Sequence, residues 1–278
     1  MKIRSVLVFL LGLAVMAMTL QAQTYTLRYD FRKGEAYRFR DNAAIADTRE
    51  MGGQEMKSTS SLSGVTRMVV ENRLDDGSIV CVVSSDSMVI TVKSPMMDTT
   101  MTLAALLGKR TRITSSQLGV VGAREIVDTV KLQGMMRAMA QRESFTLHRL
   151  PEKPVAIGGT WHATVSDTAS TPDGSRTTTS DLDYTVAGVE TRGGADCLTI
   201  TYKGTLTFSG KGKMRGMEFF MEGTGNIKGT MSFDPKRGLP VEDVSTREAE
   251  TTIAFTGEQN MTMPSTQTVK MTRTLIQE

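Results

Sequence analysis

The chain is 278 residues long, carries 33 Lys and Arg against 30 Asp and Glu, and has only 5% aromatic residues. Near-balanced, scattered charge offers no concentrated basic surface for neutralising phosphates, which argues against a nucleic-acid partner. The length suffices for one large β domain or two smaller lobes, and of its 20 methionines the 17 beyond residue 22 are the soft filler available for their cores.

In chain order, residues 1–22 read as an export signal. Lys2 and Arg4 give a positive start, residues 6–20 are apolar, and Ala22 closes a small-residue cleavage site. The apolar stretch is too short to span a bilayer comfortably, and no cysteine near the cleavage point can take a lipid anchor. The expectation is a periplasmic or secreted chain with no transmembrane segment after cleavage near Ala22. Loss of Lys2 and Arg4 leaves 31 basic against 30 acidic residues.

From Thr24 onward the periodicity is that of strands. Tyr25, Leu27, Tyr29 and Phe31 alternate with polar residues, as a half-buried strand requires. NRLDDGSIVCVV at 72–83 reads as strand, tight acidic turn and strand, and ETRGGADCLTI at 190–200 repeats it with a cysteine again four residues past a glycine. A shift of 116 lays Gly77 on Gly193, Cys81 on Cys197 and Val70 on Val186; a shift of 124 lays Tyr37 on Trp161, and one of 119 lays Gly119 on Gly238. Three matches in the same order predict an internal duplication, with a first β repeat over 23–125, a connecting helix within 126–147 and a second β repeat over 148–278. The expected fold class is mainly β: two duplicated antiparallel β-meander lobes, as curved sheets or half-barrels, joined by one α-helix.

That helix is predicted in DTVKLQGMMRAMAQRE at 128–143, where Leu132, Met135, Met136 and Met139 follow the i, i+3, i+4, i+7 spacing of one stripe. Further on, Leu198, Ile200, Tyr202, Leu206 and Phe208 share a strand face. In 217–233, Phe219, Met221, Ile227, Met231 and Phe233 share another with Gly223, Gly225 and Gly229. Glycines inside a strand mark a bend or a close backbone approach. The alternative is a groove for an apolar small molecule, lined by Leu132, Met135, Met136, Met139, Tyr202, Phe208, Phe219, Met221, Ile227, Met231 and Phe233.

MGGQEM at 51–56, SPMMDTT at 94–100 and LPEKPVAIGGTW at 150–161 resemble recurring segments of an uncharacterised family of exported bacterial proteins, known mainly from Bacteroidetes-type genomes as a domain of unknown function. The resemblance spans most of the mature chain and implies export and a β-rich fold, with no activity attached. A looser, fold-level resemblance to the periplasmic lipoprotein carriers, whose half-barrels hold acyl chains, carries no function by itself.

Catalytic chemistry has few footholds. His148 and His162 are the whole imidazole supply, no zinc-type spacing exists, and no Gly-x-Ser-x-Gly elbow presents a nucleophile. Asp181 and Asp183 fall on one strand face, as paired acid and base groups or as solvated acids. GKGKMRG at 210–216 has the wrong spacing for a nucleotide loop and reads as a basic hairpin tip. Met96, Met97, Met135, Met136, Met139, Met214, Met217, Met261 and Met263 offer thioethers that suit Cu(I), although most of these positions also suit an apolar core. Cys81 and Cys197 lie on the parity opposite their apolar neighbours, so both are expected on outer sheet faces, with a bridge left open by the oxidising compartment. The reading is therefore no enzyme, no metal and no cofactor. It is instead an exported binding or carrier protein for an apolar ligand or, alternatively, an envelope protein acting on protein partners through exposed β surfaces.

Overall fold

The structure, a computed structural model, describes residues 23–95, 97–128, 147–171, 174–214, 217–257 and 260–276. Its strands are β1 (Thr24–Tyr25), β2 (Ala36–Met51), β3 (Gln54–Arg73), β4 (Ile79–Ser94), β5 (Met97–Thr102), β6 (Thr111–Ser115), β7 (Val121–Ile126), β8 (Val155–Ala156), β9 (Thr160–Thr171), β10 (Gly174–Arg192), β11 (Ala195–Met214), β12 (Met217–Asp234), β13 (Leu239–Thr256) and β14 (Met261–Ile276). Alternation builds them: inward residues are apolar, while outward faces carry Thr and Ser that bond across strands, as in Thr168 to Thr177 at 2.9 Å and Ser166 to Thr179 at 3.1 Å. The turn between β10 and β11 needs two left-handed residues, supplied by Gly193 and Gly194 at φ 58° and 77°.

Twelve strands form one antiparallel sheet in the order β7-β6-β4-β3-β2-β14-β13-β12-β11-β10-β9, with β5 added beside β4. This corrects the expectation of two separate lobes. The last strand, β14, pairs with the first long strand, β2, from Ser265 opposite Arg49 to Ile276 opposite Arg38. Separate lobes would leave both as exposed edges with a row of unsatisfied backbone groups, and pairing them removes that cost. The positions that the sequence shifts match, Gly34 with Gly158 and Val70 with Val186, share a local bonding pattern. Gly34 N–H donates to Val70 O (2.9 Å) and Val70 N–H to Glu35 O (3.0 Å), while Gly158 N–H donates to Val186 O (2.7 Å) and Val186 N–H to Gly159 O (3.0 Å).

Among the described residues there is no α-helix, only a 3₁₀ turn at Ala104–Leu106, and no helix long and apolar enough to cross a membrane. The helix predicted over 128–143, with Leu132, Met135, Met136 and Met139, lies outside the described residues except for Asp128. Residues 1–22, expected to be an export signal, lie outside them too. Asp128 is gripped by Arg110, whose Nε and Nη2 donate to its two carboxylate oxygens at 2.8 and 3.0 Å.

The segment read as a first strand pairs only briefly, as β1 against β8. Beyond Tyr25 it runs extended through the interior, docked by Tyr29 N–H to Gln117 O (2.8 Å) and Asp30 N–H to Gly238 O (3.0 Å). Leu27, Tyr29 and Phe31 are buried there with Phe39, Val70, Val186, Ile200 and Phe233 in one cluster drawn from both sides of the sheet. The sheet therefore curls around this segment. Its two edges come within side-chain reach, Arg124 Nη2 of β7 lying 3.5 Å from Asp167 Oδ2 of β9.

Cys81 corrects another expectation. Asp86 is a bulge residue, Val65 pairing with Ser87 and Thr66 with Ser85, so β4 changes parity there. Ile79 and Cys81 then face the core on one side of the bulge and Met88 and Ile90 face inward on the other. Cys197 faces outward but is covered, and the two cysteines are separate buried thiols.

Candidate functional site

The inner face of the curled sheet divides into two halves along the strands. In the first, Leu27, Tyr29, Phe31 and Leu150 fill the concavity. Each such fully buried apolar side chain contributes roughly 1.5–3 kcal/mol, so this half is a packed core.

A polar belt closes that core. His148 packs against the rings of Tyr184 and Tyr202, with its Nδ1 3.2 Å from Tyr184 Oη and its Nε2 3.0 Å from Asp243 Oδ2. Tyr202 O–H donates to Asp243 Oδ1 at 2.7 Å, and Tyr29 O–H donates to the His148 carbonyl at 3.1 Å. Trp161 stacks on Tyr184 with ring centres 4.9 Å apart and donates its indole N–H to Arg149 O at 2.9 Å. Arg273 Nε donates to Asp41 Oδ1 at 2.6 Å farther along the same row. Burial raises the Asp243 carboxyl, but the adjacent His148, the hydrogen bonds from His148 and Tyr202 and the Arg273 charge outweigh it and hold the group below the usual carboxylate range. Burial, then the Asp243 charge, pushes the Tyr202 and Tyr184 phenols up.

This belt contains His, Asp and Ser245 yet lacks the arrangement of a hydrolase triad. A nucleophilic serine must bond to the imidazole, and here both ring nitrogens are taken by Tyr184 and Asp243. The other histidine stands on the exposed outer face. His162 Nε2 is 2.7 Å from Asp181 Oδ1 and its Nδ1 2.9 Å from Asp183 Oδ1, and the Asp183 bond and the two carboxylate charges raise it above 6.5. Sequence parity correctly put Asp181 and Asp183 together; the cross-strand register, with Asp183 opposite His162, supplies the third group. Among the described residues no three His, Cys, Asp or Glu side chains are placed to hold a metal ion.

Beyond the belt the inner face continues toward the β9–β10, β11–β12 and β13–β14 hairpin tips. Inward-facing side chains alternate as half-buried with exposed outward ones along β12 from Phe219 to Ile227. The described sequence-predicted residues divide between the two halves. Tyr202, Met231 and Phe233 belong to the packed core, and Tyr202 also to the belt. Phe208 is buried with Leu206 and Ala249, with Ile227 against them, in a small satellite cluster. The guanidinium carbons of Arg176 and Arg247 stand 5.4 and 5.8 Å from the Phe208 ring centre. Phe219 and Met221 are half-buried near the tips, with Phe219 and Phe255 ring centres 6.2 Å apart. Register missed by sequence reasoning adds Ile253 and Val269 to this inner face, Ile253 opposite Met221 and Val269 opposite Arg247.

The β12 glycines serve close approach. A Cβ at Gly223 or Gly225 would stand 2.4 or 2.5 Å from a β13 backbone oxygen, and one at Gly229 2.4 Å from the Tyr202 ring. They bring β12 against its neighbours and let Tyr202 lie flat. A recess of about 320 Å³ occurs elsewhere, at the packed end, lined by Asp30, Arg32, Glu35, Tyr37 and Arg237 among others, and among the described residues none of the predicted lining residues borders it.

No curated protein matches the chain. Among solved structures, an outer membrane channel from Pseudomonas putida F1 is 8% identical over 89% of this chain and 98% of its own, with a TM-score of 0.21. A mutant porin of Rh. blastica is 11% identical over 87% of this chain and all of its own, with a TM-score of 0.22. Scores this low leave β-rich character as the only common ground. Residues 125–240, from the end of β7 to the start of β13, match the model of a family of unknown function (DUF6263), in line with the uncharacterised domain that the sequence segments resemble.

Proposed function

We propose that the protein is an exported, non-enzymatic binding or carrier protein that takes an apolar small molecule, a lipid foremost, on the open half of its concave face. One observation carries this reading. The chain's own segment fills the first half of the concavity, whereas Phe219, Met221, Ile253 and Val269 face inward half-buried and join none of the described buried clusters. Apolar side chains lining a concave face are the usual setting for a small ligand. Export rests on the leader at 1–22, and the matching bonds at Gly34–Val70 and Gly158–Val186 support descent from a duplicated unit. Lipid extraction and mass spectrometry of protein purified from its native host test the proposal: a stoichiometric lipid supports it, and a lipid-free protein that takes up none counts against it.

A second reading, an envelope protein that docks partners through β surfaces, is favoured by exposed apolar residues, with Ile126 70%, Phe220 52% and Val189 48% exposed. Crosslinking in the native envelope separates the two, since a stable protein neighbour without bound lipid favours docking.

A further inference from the structure

We infer that the curled sheet opens at a seam between its two edge strands, β7 and β9. Elsewhere round the sheet, long neighbours are joined by long ladders, such as β10 with β11 from Gly174 opposite Gly212 to Arg192 opposite Ala195, broken only by a bulge between Val186 and Gly188. Among the described residues no backbone hydrogen bond joins β7 to β9, and what crosses is the Arg124 to Asp167 ion pair at 3.5 Å, its side chains 29% and 42% exposed. An ion pair that wet is screened by water and salt, and is a weak tie beside a hydrogen-bonded ladder.

The two sides of the seam are unequal. β9 is twelve residues long and lies against β10 along its whole length. β7 has six residues, paired with β6 at four positions across a bulge, and β6 is paired with β4 at only five. The β6–β7 hairpin is the smaller and less anchored body, so it swings outward while β9 stays with the sheet. A seam between strand edges opens onto the inner face, and Asp167 itself is on the half-buried, inward side of β9. On the binding reading above, which this step rests on, the seam is the lateral way to the concave face.

Spin labels at Ala123→Cys and Thr168→Cys, both exposed positions, in a Cys81→Ala, Cys197→Ala background, report the seam width by pulsed electron resonance. The expected result is two distance populations. The longer one grows with added salt and in Asp167→Arg, and shrinks again in the charge-swapped Arg124→Asp, Asp167→Arg protein. A control pair at Glu250→Cys and Thr266→Cys, register partners in the β13–β14 ladder, stays single and narrow and shows that each variant is folded. A seam as narrow as the control in every variant and at every salt concentration overturns the inference. Bridging the two seam cysteines with a short bismaleimide is expected to slow uptake of a fluorescent fatty acid at least tenfold. Unchanged uptake through a seam that does open rejects its role as the way in, while absence of any uptake by the unbridged protein rejects the binding reading instead.

Discussion

His148 is held through both ring nitrogens, and its partners are themselves committed, Asp243 to Tyr202 and the His148 carbonyl to Tyr29. A buried network of this kind is costly to break because the remaining members lose charged hydrogen bonds. Asp243→Asn is expected to lower stability by about 2–3 kcal/mol in urea unfolding at pH 7. The folded carboxyl sits below the ordinary range, so its contribution is fully present above the unfolded value of about 3.9 and is lost as the pH falls through the folded one. The gap between wild type and Asp243→Asn should therefore hold from pH 7 to 5 and shrink below about pH 4. His162 has the opposite sign: its raised value means that the stabilisation is present in acid and is lost as the pH rises through it. An NMR titration should place the His162 imidazole above 6.5, and Asp183→Asn should move it back down. The Asp181 and Asp183 pair was legible from period-two spacing. The His148 to Asp243 bond, between residues 95 apart, was not, since nothing local to either residue specifies the other.

In β12 the inward face is legible from the sequence, while the choice between close approach and a groove for its glycines is not. Its parity, with Phe219, Met221, Ile227, Met231 and Phe233 inward, follows from alternation alone. The use of its glycines depends on the distance to β13 and on the Tyr202 ring, which only the folded sheet supplies. Gly229→Ala places a methyl 2.4 Å from that ring and 2.6 Å from Val244 O, and a loss of about 1–3 kcal/mol is expected. Gly188→Ala meets nothing within 4 Å and should be neutral or stabilising by up to about 1 kcal/mol. Thermal unfolding of the two proteins side by side checks the contrast; equal losses would contradict it. β4 misleads in the reverse way. Its apolar residues at Val80, Val82 and Ile90 suggest one face, but the bulge at Asp86 divides the strand, and Cys81 turns inward. Burial there pushes its thiol up to about 12, so alkylation should be slow until the protein unfolds.

At the scale of the whole molecule, one curled sheet replaces the two lobes expected from the repeat. The turn signals and matched segments were visible because they are local. The choice between separate copies and a shared sheet is made by the pairing of β14 with β2, which joins the two ends of the chain. The extended segment around Phe31 likewise has the alternation of a strand, yet packs as an inner plug because the sheet has curled far enough to surround it. That plug occupies half of the concavity and leaves the half lined by Phe219, Met221, Ile253 and Val269, and the functional account depends on this asymmetry. Titration of delipidated protein with cis-parinaric acid, in wild type and in Met221→Glu with folding verified by circular dichroism, tests it most directly. Saturable one-to-one binding in the wild type and at least tenfold weaker binding in Met221→Glu is the predicted result. Absence of saturable binding, or equal affinity in the two proteins, would contradict it.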